Sequence, residues 1–304
     1  MGNTFYFQWE VDLMVWLQSV LGETGARIMS FFSMFGEELF LIVVMGFMYW
    51  SFNKKAGEKI AAAIVLNSVW FPMIKNAALR RRPYFDNPQI KCIKPVDPSA
   101  DIYDVSMQGY SFPSGHSASS TSVYGSIAKI YEKPWLTLVC AAIPFLVGIS
   151  RFCVGVHYPT DVLAGWALGT IIVFLVPWLE SKLKTKAALY GVMFLLAIPG
   201  VFYCRTTDYF TGLGMMFGFF SGILFENKYV NFENTRKPLS MVLRIVGGIA
   251  LYLGLSALLK LPFSAEFLES DSAACFAVRV ARYAIVSFIE VGIYPMLFKA
   301  KIFK

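Results

Sequence analysis

"LVCAAIPFLVGISRFCVGVHYPTDVLAGWALGTIIVFLVPWL" occupies residues 138–179, and in it only Arg151 and Asp161 carry a formal charge. The apolar runs on either side of 150–161 have about the 20-residue length that a helix needs to cross a hydrocarbon core. The stretch therefore reads as two membrane helices with their charged residues at the connection. The rest of the chain repeats the pattern. Hydrophobic residues make up 57% of it, charged residues 15%, and mean hydropathy is +0.56; a soluble domain carries about a quarter charged residues. The expected fold is an all-α, polytopic transmembrane helix bundle. The net charge of +7 divides between membrane faces, so it argues for a bilayer partner and not for nucleic acid.

Nine spans are expected, at 27–52, 56–79, 115–131, 134–153, 157–179, 187–204, 208–225, 239–259 and 275–298. Ahead of them, 5–21 places Glu10 and Asp12 among aromatics and reads as an amphipathic interfacial helix. The start lacks a basic region followed by an apolar core and a small-residue cleavage site, so no removable signal peptide is expected. Tyr6 breaks a myristoylation match. The division expected is an interfacial segment 1–26, a five-span catalytic core 27–183 and a four-span region 184–304. Loop 83–112 is long enough for a binding role, and 226–238 reads as a polar cytoplasmic loop.

Three polar motifs interrupt the apolar pattern. Lys75, Arg82 and Pro83 close the second span in "KNAALRRRP"; Pro113, Ser114, Gly115 and His116 open the third; Ser150, Arg151, His157 and Asp161 lie where the fourth span ends and the fifth begins. Threaded through a bilayer, all of them fall on one face. Lys75, Arg82 and Arg151 supply cations, the arginine forks suiting phosphate oxygens. Ser114 and Gly115 stand at a helix N-terminus, where free N–H groups favour an anion. His157 and Asp161 are four apart and share a helix face, so the carboxylate can orient the ring. One ring nitrogen is left as nucleophile or base, and His116 as the acid for a leaving oxygen.

The pattern K-x6-R-P, P-S-G-H, S-R-x5-H-x3-D resembles the three-part signature of the type-2 phosphatidic acid phosphatase superfamily, with every signature position filled between 75 and 161. The resemblance implies a metal-independent phosphohydrolase: His157 forms a phosphohistidine, His116 protonates the leaving alcohol, and water releases phosphate. It implies no cofactor and a lipid phosphate or diphosphate monoester as substrate. The span count is also similar to the glucose-6-phosphatase and sphingosine-1-phosphate phosphatase branch. A phosphotransferase, a phosphatase of a soluble sugar phosphate, and a transporter with a vestigial phosphate site are the competing readings.

Other residues have plainer expectations. Arg80 and Arg81 read as headgroup anchors. Two histidines without CxxC or HExxH give too few ligands for a zinc site. Five cysteines make no disulfide framework. Glu37 and Glu38 fall inside an apolar run and call for partners: Lys75, an arginine of the second span, or Arg279 and Arg282 of the ninth. Glu290 is treated likewise. Loop cations set the orientation. Lys54, Lys55, Lys59, Lys129, Lys133, Lys182, Lys184, Lys186, Lys228, Arg236, Lys237, Lys299, Lys301 and Lys304 fall opposite the motifs, against Arg27, Arg80, Arg81, Lys91, Lys94, Arg205 and Lys260 beside them. Loops rich in Lys and Arg stay in the cytoplasm. The C-terminus is thus expected inside and the motifs on the extracytoplasmic face, in the plasma membrane of a bacterium.

Overall fold

A computed structural model describes residues 2–303. It is helical, with no strand among the described residues. Thirteen α-helices follow in order: α1 Gln8–Ser33, α2 Glu38–Gly46, α3 Lys54–Ala78, α4 Pro83–Asp86, α5 Val105–Gln108, α6 Gly115–Tyr131, α7 Pro134–Cys153, α8 Pro159–Lys182, α9 Lys186–Ala197, α10 Thr207–Phe225, α11 Pro238–Leu258, α12 Ala265–Glu269 and α13 Ala273–Phe288. The chain forms two compact units, one of residues 1–41 and 71–174, the other of 42–70 and 175–304.

Five helical segments are long and apolar enough to cross a membrane: Lys54–Ala78, Pro134–Cys153, Pro159–Lys182, Thr207–Val230 and Pro238–Leu258. The bent pair Gln8–Gly36 and Glu38–Phe52, angled by 44°, makes a sixth if it counts as one span. By length and composition five or six are thus counted, against the nine expected. Segment 115–131 is a helix, but a 17-residue one rich in serine, and Lys186–Phe202 is a shorter apolar helix. Beyond α13, residues 289–299 run on through π and 3-10 turns. The chain is an integral membrane protein; the likeness to the glucose-6-phosphatase branch, which depends on nine spans, is not carried further.

The first unit gathers the motifs. α1 is two helices joined across a non-helical kink at Gly22 (φ 61°, ψ −178°), so the segment expected at the interface, 5–21, is set off from the helix that enters the first span. It packs on α7, as does α6, and Ser33 and Ser150 meet at 2.9 Å across the α1–α7 seam. Val11 and Met14 of α1 pack with Ile90 and Tyr158, while Tyr84 packs with Val154 and Val156. These two clusters tie loop 83–112 to the α7–α8 connection.

In the second unit α10 lies directly against α13. An added Cβ on Gly214 would sit 2.5 Å from the Val280 carbonyl oxygen, and one on Gly218 2.2 Å from that of Ala284. Gly222 continues the stripe beside Val291. Spacing of four places all three glycines on one face, the small-residue contact by which membrane helices approach closely. The loop expected over 226–238 is helical to Val230, and its Glu226 is fully buried against Lys54 at 2.6 Å.

Candidate active site

α3 ends at Ala78, and Leu79 (φ 54°) turns the chain into an extended segment that bridges Asn3 in parallel. Side chains alternate along extended backbone. Arg80 and Arg82 therefore point inward, 1% and 2% exposed, while Arg81 turns out to Asp86 and Thr4. Arg81 is held in a surface pair and does not enter the site. Arg80 does not fit the anchor reading.

Arg80 donates to Asp161 Oδ1 at 2.7 Å, Glu10 Oε2 at 2.9 Å, Thr160 Oγ1 at 2.7 Å and the Phe5 carbonyl at 2.8 Å. Its guanidinium lies 4.0 Å from the centre of the Tyr158 ring. Glu10, expected at a membrane interface, is fully buried, and its Oε1 accepts from Thr160 N at 3.0 Å and Thr160 Oγ1 at 2.6 Å. One guanidinium thus holds two buried carboxylates, from α1 and α8.

Asp161, also fully buried, accepts from Tyr158 N at 2.7 Å. Its Oδ2 stands 3.5 Å from His157 Nδ1, which has no closed hydrogen bond. The expected pair is brought together with its bond slack. Because α8 begins at Pro159 and not at 157, His157 belongs to the connection ahead of the span. Burial first, then the Arg82, Arg151 and Lys75 cations, push its imidazole well below the ordinary histidine value. The neutral ring, the form that can act as a nucleophile, is favoured.

Gly155 (φ 84°) makes this connection possible, since a Cβ there would lie 2.1 Å from the Lys91 carbonyl oxygen. Arg82 secures the other side, donating through Nε to Gln108 O at 2.8 Å and through Nη1 to Val156 O at 2.9 Å. Loop 83–112 is held in turn by Asp97, whose Oδ1 accepts from Ser99, and by Asp104, which caps α5 at Ser106 N. The Ser99 and Ser106 hydroxyls hold these two carboxyls below their usual range.

The motif at 113–116 opens α6. Ser114 is the N-cap, accepting from Ser117 N at 3.4 Å, and its own N–H donates to the Asp161 carbonyl at 2.9 Å. Gly115 admits the Phe71 ring, which a Cβ would meet at 3.1 Å. His116, half-buried, has Arg151, His157, Lys75 and Lys94 as its charged neighbours. Lys75, in the last turn of α3, lies 5.4 Å from the centre of the Phe71 ring. Arg151 is 2% exposed, and its Nε and Nη1 have no hydrogen-bond partner.

Glu37 pairs with Lys94 of the long loop at 2.6 Å, so it holds none of the partners proposed from sequence. Arg279 and Arg282 have no acidic partner among the described residues; both contact backbone carbonyls, and the Arg282 guanidinium lies 5.9 Å from the centre of the Tyr283 ring, while both Glu290 carboxylate oxygens are buried without partners. The five cysteines are free. Among the described residues no group of three or more His, Cys, Asp or Glu side chains is arranged to hold a metal ion.

A model described as PAP2 superfamily matches residues 56–185, and one described as PAP2 superfamily phosphatase, transmembrane extension, matches 210–302. The chain is 43% identical over 84 residues to phosphatidylglycerophosphatase B of Bacillus subtilis, covering 25% of this chain and 41% of that protein. It is 28% identical to lipid A 1-phosphatase of Rhizobium etli, over 47% of this chain and 56% of that protein. No solved structure matches the chain. An undecaprenyl-diphosphatase of Sulfolobus acidocaldarius is 32% identical over 51% of this chain and 70% of its own length. That coverage, with the family models lying over both the motif-bearing and the terminal membrane regions, makes the chain a member of the PAP2 superfamily.

Proposed function

We propose that the chain hydrolyses a lipid phosphate or diphosphate monoester through a phosphohistidine. The observation that carries this reading is Arg151: a buried guanidinium with two unpartnered nitrogens, whose charge acts on both histidines. Such a fork is suited to a tetrahedral oxyanion, and Lys75 and Arg82 add positive charge around it. The neutral His157 ring attacks phosphorus through Nε2 while Asp161 accepts a hydrogen bond from Nδ1–H. The phosphorus–oxygen bond to the leaving group breaks, and His116, protonated once the bound phosphate offsets the Arg151, Lys75 and Lys94 charges around it, gives its proton to the leaving oxygen of the alcohol or lipid phosphate. Neutral His116 then takes a proton from water, whose oxygen displaces His157 and releases phosphate. Apo geometry such as the 3.5 Å His157–Asp161 separation tightens when the ring gains positive charge.

The lipid substrate is supported by the membrane setting and by relatives whose names specify phosphatidylglycerophosphate, undecaprenyl diphosphate and lipid A. The excess of loop cations opposite the motifs supports an extracytoplasmic site and a cytoplasmic C-terminus in a plasma membrane. Phosphate release by the detergent-purified chain, over a panel of lipid and soluble phosphates, tests the reading. Release from lipid substrates is expected. Release from none of the panel, or only in the presence of an acceptor alcohol, refutes hydrolysis.

A further inference from the structure

α13 carries two arginines that the proposed chemistry does not use. Arg279 and Arg282 are three residues apart, so they share a helix face with a rise of about 4.5 Å between them. Arg282 is only 6% exposed and so does not reach water from its helix. A guanidinium has five N–H donors. Here Arg282 makes a 3.4 Å contact to the Ser256 carbonyl of α11, and Arg279 a 3.3 Å contact to the Leu268 carbonyl of α12. Both Nε atoms are buried without partners, as is the Ser256 hydroxyl. No carboxylate lies within ion-pair distance of either arginine among the described residues, and Glu290 of the following turn pairs with neither. One buried and one half-buried cation without a carboxylate partner are costly in a membrane protein. The unpartnered donors are the two Nε–H groups and the Ser256 hydroxyl. That set fits an oxyanion with several acceptor oxygens.

We propose that Arg279, Arg282 and Ser256 form a second anion site, within α11–α13, that binds a phosphate oxyanion. The ligand is the headgroup of an anionic phospholipid or free phosphate, and the chemistry of the site is the same for both. This inference does not depend on hydrolysis at the histidines.

The test uses the full chain in neutral detergent with Arg151→Gln, which removes the other anion-binding fork. Native mass spectrometry counts retained phosphatidylglycerol against phosphatidylcholine, and thermal unfolding is followed against inorganic phosphate, since a ligand of the folded state raises its apparent stability. Phosphatidylglycerol is expected to be held at least tenfold more tightly than in Arg279→Gln/Arg282→Gln, with phosphatidylcholine unaffected. A phosphate-dependent shift without lipid retention identifies the ligand as the free anion. Equal binding of both probes by the folded double variant overturns the proposal. Should the double variant not fold, Arg279→Gln, at a half-buried position, decides by the same criterion.

Discussion

Replacing Arg80 by Gln tests whether the buried ionic network positions His157, the proposed nucleophile. The change removes a cation 2.7 Å from Asp161 and 2.9 Å from Glu10, both carboxylates being fully buried. Removing one partner of a buried pair costs about 3–5 kcal/mol. Glu10 keeps donors from Thr160 and from Phe7 N, whereas Asp161 keeps Tyr158 N at 2.7 Å. Asp161 is therefore the carboxylate expected to move, and His157 with it. A misplacement of about 1 Å at a reacting group costs about 100-fold in rate. Lys75, Arg82 and Arg151 are untouched, so KM is expected within about threefold of wild type while kcat falls about 100-fold. Steady-state phosphate release and thermal unfolding in the same detergent measure both effects. Adding Glu10→Gln removes one of the two stranded charges and should recover part of the unfolding temperature without restoring kcat. A folded Arg80→Gln protein with kcat within about threefold of wild type would refute the positioning role.

His157→Ala should abolish both turnover and the phosphoenzyme seen by acid-quenched labelling, whereas His116→Ala should lose more activity on alkyl than on aryl phosphates, which leave without a proton; equal losses on both substrate types would remove His116 as the acid. Activity should survive EDTA and be inhibited by vanadate, since three cations and an imidazole supply what each step requires; loss on chelation with recovery on adding one divalent ion would contradict this. Gly155→Ala should displace the α7–α8 connection, because the left-handed backbone costs about 1 kcal/mol without glycine and the new Cβ meets the Lys91 carbonyl; kcat is expected to fall at least tenfold. With the native cysteines replaced, Tyr103→Cys should react with an impermeant maleimide in intact cells and Lys133→Cys should not, and the reverse labelling would invert the proposed orientation.

What the sequence showed plainly was chemistry with fixed spacing. Lys75, Arg82, Ser114, Gly115, His116, Arg151, His157 and Asp161 converge within the first unit because each stands at a helix end or in a connection, where spacing along the chain translates into position. Arg80 was hidden by its neighbours. In the run Arg80–Arg81–Arg82 a helix-end anchor is the ordinary reading, and the alternation that separates the buried pair from Arg81 appears only once α3 is seen to stop at Ala78. Glu10 was misplaced for a related reason. A carboxylate among aromatics has the composition of an interfacial helix, and its burial depends on Arg80 and Thr160, 70 and 150 residues away. The nine expected spans and the count by length and composition part where helices are polar, as α6 is, or broken, as at 34–37 and 289–299. A hydropathy window reads how apolar a segment is. The burial of the cap Ser114 and of Ser117, Ser120 and Ser122 in α6 depends on packing and hydrogen bonds, which leave no trace in that average. The same limit explains why the signature was easier to read than the network beneath it: the signature answers to the chemistry of phosphate, whereas Glu10 and Arg80 answer to each other.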